Sequence, residues 1–107
     1  MAMFQRTFTG DFDTLVQKVE RAVLNGSVSA SLEESADYRT PQGRCSVRVF
    51  ERYSYTGGNR VSMSVTFFQA GGDVQLCAIT SGGSSGMFFK LNTWGEEAFL
   101  DTLKEEL

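Results

Sequence analysis

The segment Arg44–Phe67, RCSVRVFERYSYTGGNRVSMSVTF, alternates along two arms and turns between them. In the second arm Val61, Met63, Val65 and Phe67 alternate with Arg60, Ser62, Ser64 and Thr66, which is the period of a half-buried β-strand. In the first arm Cys45, Val47, Val49, Tyr53 and Tyr55 take one side, and Arg44, Ser46, Arg48, Phe50 and Arg52 take the other. TGGN, Thr56 to Asn59, supplies the turn. A connection this short pairs its strands antiparallel. The reading places the Cys45–Val49 side and the Val61–Phe67 side together against a core, with the arginine side open.

Outward from this hairpin the chain keeps the same grammar. AGGD (Ala70–Asp73) turns into a further strand, VQLCAIT, and TPQG (Thr40–Gly43) turns from a preceding one. Before that turn, Val28, Ala30 and Leu32 alternate with serines in SVSASLEES. The period is 3.6 earlier still: Phe12, Leu15, Val16, Val19, Ala22 and Val23 share one helix face, with Gln17, Lys18, Glu20 and Arg21 opposite. Asp11 is placed to cap this helix, and Asn25-Gly26 to stop it in a left-handed turn. MFQRTF, Met3 to Phe8, reads as a short first strand.

At the other end, Met87–Leu91 (MFFKL) reads as a short strand or an extended link. Thr93-Trp94-Gly95-Glu96 then forms a capping box opening a helix with Phe99, Leu100 and Leu103 on its apolar stripe. The whole predicts one α+β domain over residues 1–107. Its antiparallel sheet has five to six strands in the order β-α-β-β-β-β-(β)-α, with two helices on one face, a two-layer sandwich.

The 107 residues are 41% hydrophobic and 21% charged, with a net charge of −3 and no histidine. That balance offers no general attraction to nucleic acid or to an anionic membrane. Cys45 and Cys77 have no CxxC spacing and no imidazole to join them, so neither a zinc site nor a Cys–His nucleophile is expected. They read as small core residues. The start of the chain lacks the features of a signal peptide, and no apolar run approaches the ~20 residues that span a bilayer. The expectation is a cytoplasmic protein with reduced thiols and no membrane partner. The run Gly82-Gly83-Ser84-Ser85-Gly86 lacks the lysine of a phosphate loop and leads into apolar residues, so it reads as a connector.

The arginine side carries the first candidate site. Arg44, Arg48, Phe50 and Arg52, with Arg60 and Phe68 across the hairpin, form a basic and aromatic face. Three readings compete: a solvated face, a contact between copies of the chain, and a stacking platform for single-stranded nucleic acid. The second candidate is a pocket between sheet and helices lined by Tyr53, Tyr55, Met63, Phe67, Phe89 and Trp94, which equally read as core. Glu51, on the apolar side of its strand, is the one carboxylate placed unusually, and it reads as a residue of the sheet rim. No catalytic, metal or cofactor residue is expected. The functional expectation is a non-enzymatic interaction module that self-associates as a dimer. A binder of small hydrophobic ligands is the alternative, and a nucleic-acid module comes third.

The stretch AITSGGSSGMFFKLNTWGEEAFL (Ala78–Leu100) resembles the tail of a family of small bacterial proteins of unknown function. The order of elements is similar to one half of the TATA-box-binding protein fold, and more distantly to helix-grip domains that hold lipids. These resemblances imply an architecture and transfer no chemistry.

Overall fold

Strand, helix, four strands and helix follow one another along the chain. The computed structural model describes residues 1–53, 60–82, 89–104 and 107, and the side chains of all of these except 89–95. The elements are β1 (Ala2–Phe8), α1 (Phe12–Gly26), β2 (Ser31–Thr40), β3 (Gly43–Tyr53), β4 (Arg60–Gln69), β5 (Val74–Gly82) and α2 (Phe89–Lys104). The sheet has five strands in the spatial order β1-β5-β4-β3-β2, and every neighbouring pair is antiparallel. Helix α1 carries the chain from the β1 edge to the β2 edge, so β4 lies at the centre. Both helices pack on one face, giving the α+β sandwich that the alternation predicts.

Helix α1 begins as its sequence directs. The Asp11 carboxylate accepts from the Thr14 backbone N–H and from the Thr14 hydroxyl, both at 2.9 Å. The first of these bonds, which favours the ionised form, holds Asp11 below its ordinary pKa. The buried stripe is Phe12, Leu15, Val16, Val19, Ala22 and Val23. The far end differs from expectation. The helix runs through Gly26 and is followed by an extended Ser27, and Gly26 does not adopt positive φ. A Cβ on Gly26 would stand 2.9 Å from the Cβ of Thr102, so the glycine is required by the close approach of α2.

Strand β2 also starts later than its alternation suggests. Residues 27–30 form a turn, closed by the Ala30 N–H donating to the Ser27 carbonyl, and Val28 is fully exposed. The strand then continues through Ser35 to Thr40, with a bulge between Leu32 and Glu34. At the other end of the chain, α2 begins at Phe89, so Phe89–Leu91 is helical and no sixth strand forms there; residues 87 and 88 lie outside the described set. Thr93 to Glu96 therefore lies inside the helix and does not cap it. Glu96 instead turns a buried carboxylate to the Gly82 N–H at 3.0 Å and pairs with the Met1 ammonium. Of the glycine-serine run, only Gly82 is described; residues 83–86 lie outside the described set.

The largest departure is the orientation of β3. Arg52 pairs with Val61, Phe50 with Met63, Arg48 with Val65 and Ser46 with Phe67. Directly paired residues share a face, so the arginine side of β3 lies with the apolar side of β4, beneath the helices. Phe50 is 0% exposed and Arg52 5%, whereas Cys45, Val47 and Val49 are only half-buried on the other face. The core joins Phe50, Val61, Met63, Val65 and Phe67 to Val74, Leu76 and Ala78 of β5, and to the stripes of α1 and α2. Phe12 meets Phe67 edge-on at 6.2 Å between ring centroids. Among the described residues no helix is long and apolar enough to cross a membrane.

Candidate interaction surface

The strand alternation gives the sheet a second face, and the described helices cover none of it. Its residues fall into rows that run across the strands. One row is Thr7, Gln75, Phe68, Cys45 and Tyr38; the next is Gln5, Cys77, Thr66, Val47 and Ala36; the third is Met3, Ile79, Ser64, Val49 and Glu34. Phe68 is 47% exposed and Tyr38 64%, and Met3, Ile79 and Tyr53 also stand in solvent. Beyond these rows come Ser81, Ser62, Glu51 and Ser31, and then Arg60 beside Tyr53.

Charge on this face lies at one end and at the β2 edge. Glu51 and Arg60 form an ion pair, and Glu33 at the β2 bulge lies 3.9 Å from the same guanidinium. The first two rows carry no charged side chain, and the third has only Glu34 at the sheet edge. An uncharged face with aromatic, methionine and aliphatic side chains has the composition of an interface core. Phe68 stands between two hollows. One, of about 210 Å³ and almost wholly apolar, is bounded by Tyr38, Thr40, Gly43, Cys45 and Ala70; the other lies towards Gln5, Thr7, Gln75 and Cys77. At the margin of the first hollow Gly43 lets the backbones approach closely, because a Cβ there would stand 2.4 Å from the Gln69 carbonyl oxygen.

The expected basic face is thus divided. Arg60 and Phe68 are on the open face, while Arg44, Arg48, Phe50 and Arg52 point to the helix side. There the arginines fasten elements together. Arg44 makes a fork to Asp13 of α1, at 3.1 and 2.7 Å, with its guanidinium 4.0 Å from the centre of the Phe12 ring. Arg48 reaches Asp37 of β2 at 3.1 Å and Glu20 of α1 at 3.9 Å. Arg52 lies over the Phe99 ring of α2 at 4.9 Å. The buried Ser46 hydroxyl donates to Asp37 at 2.6 Å, and this bond, with help from Arg48, keeps the Asp37 carboxyl below its ordinary pKa. Ser46, Asp37 and Arg48 thus form a strut that ties β2 to β3.

The expected pocket lining is dispersed too. Met63 and Phe67 are fully buried core residues, and Tyr53 is exposed on the open face. Tyr55 lies outside the described residues, and Phe89 and Trp94 lie on α2 with side chains outside the described set. Cys45 and Cys77, read as core, are free thiols half-exposed on the open face. Sequence patterning expected an open face and placed the β4 side of it correctly, but put the wrong side of β3 there: Cys45, Val47 and Val49 alternate as apolar residues whichever way the strand faces.

No curated protein matches the chain. A family model described as "Family of unknown function (DUF6054)" matches residues 1–107, and the chain belongs to that family.

Proposed function

We propose that this protein is a non-enzymatic interaction module and that its open sheet face binds a second copy of the same chain. The observation that carries this reading is the uncharged, aromatic-bearing surface of the first two rows, continued by a third row whose one charge, Glu34, lies at the sheet edge, on a chain that is 21% charged overall. A solvated strand face ordinarily gathers charge, and interface cores are depleted of it. The area also fits. Five strands about 4.8 Å apart and some 30 Å long offer roughly 700 Å² per copy, near the ~800 Å² per partner of a standard stable interface. A nucleic-acid platform is disfavoured because Arg44 and Arg48 already hold carboxylates and, among the described residues, Arg60 at the end is the open face's one cation.

Sedimentation equilibrium on the purified chain tests the reading. The expected result is a dimer, converted largely to monomer by Phe68→Ser, since Phe68 is the large exposed aromatic of the middle strand and aromatics are the usual anchors of an interface. A wild-type monomer at tens of micromolar, or a dimer that Phe68→Ser leaves intact, would overturn it.

A further inference from the structure

Resting on that reading, we propose a definite symmetry for the pair: the two-fold axis runs along β4, laying β5 of each copy over β3 of the other. A face-to-face pair of identical sheets has its two-fold axis in the plane between them, either near the strand direction or across it. An axis along the central strand exchanges the two sides of the sheet and keeps each row at its own height. Ile79 then meets the second copy's Val49, Cys77 meets its Val47, and Phe68 meets Phe68. The Glu51–Arg60 end lies over its own counterpart, at the rim and in water. An axis across the strands through the third row would instead bring Glu51 over Val47 and Arg60 over Phe68, burying charge on apolar side chains. The same axis moved to the second row escapes that clash, but it sets Cys77 against Cys77 and leaves the Glu51–Arg60 end overhanging.

Oxidative cross-linking separates these arrangements. Val47 and Cys77 of one chain lie two strands apart on the same face, about 9.6 Å between backbones and beyond disulfide reach, so a bridge between these positions forms only between copies. Facing sheets in sandwich folds do accept such bridges. In a Cys45→Ser background, adding Val47→Cys and oxidising with diamide is expected to give a covalent dimer joined through positions 47 and 77, mapped by peptide mass spectrometry. Cys45→Ser alone is expected to stay uncross-linked. A covalent dimer from Cys45→Ser alone places Cys77 on Cys77 and overturns the axis along β4. So does a Val47→Cys protein that sediments as a dimer but does not bridge to position 77. A wild-type monomer in sedimentation, or a dimer that Phe68→Ser leaves intact, overturns the proposed symmetry together with the reading beneath it, whereas the cross-linking outcomes bear on the symmetry alone.

Discussion

On one face of β3, arginines reach carboxylates on α1 and β2, and a phenylalanine is shut away from solvent. On the other face the same strand shows valines and a cysteine with nothing described above them. By composition alone the assignments should be reversed. The difference teaches that a strand's covered side is set by its pairing partner as much as by its own residues. Long arginine stems can lie over apolar surface while their heads find acids, so a row with one Phe and three Arg can serve as the underside of a helix layer. The apolar row then stays outward, and its exposure becomes a statement about what the surface is for.

Substitutions along β3 and β4 can break or sharpen this contrast. Phe50→Ala, on the covered face, is expected to cost about 3–5 kcal/mol in urea unfolding, a large part of an ordinary domain's stability. A loss below about 1 kcal/mol would mean that the two faces had been exchanged. Gly43→Ala should be next, at about 1–3 kcal/mol, because its methyl meets a backbone oxygen that cannot swing away. Phe68→Ala should cost no more than about 1 kcal/mol of monomer stability, read by urea unfolding under dilute conditions, since its ring is already half in water.

The smallest effect is one of pH. Asp37 has a lowered pKa in the fold, so the stability it brings is complete above its ordinary value of 3.8 and disappears as pH falls through the folded value. Asp37→Asn should therefore destabilise at pH 6 and converge on the wild type as the pH falls below that ordinary value. A difference that persists unchanged at low pH would detach Asp37 from the Ser46 and Arg48 strut.

Much of this was legible beforehand. The α1 stripe and its Asp11 cap, the apolar set of β4 and the antiparallel order all follow from spacing. The face of β3 did not, and the reason is arithmetic. The connection 54–59 between Tyr53 and Arg60 has even length, and so has the shorter TGGN turn, so either one pairs odd-numbered residues with even-numbered ones. Val47 and Val61, both odd, could never share a face. The clue lay in the loop length and was outweighed by the pull of alternation. Gly26 misled in a different way: the spacing marks a stop, whereas its lack of a side chain answers to Thr102, remote in sequence. The start of α2 was hidden because a helix-opening pattern at Thr93–Glu96 also fits inside a helix whose Glu96 has a partner elsewhere.

The bulged outer strand β2 bears on a hazard that any sticky sheet incurs. Its exposed length carries Glu33, Glu34, Asp37 and Arg39, and a neighbouring molecule adding its own β2 there in parallel register would set glutamates beside glutamates. Charges along an outer strand are a common guard against lateral strand addition, and this margin carries them.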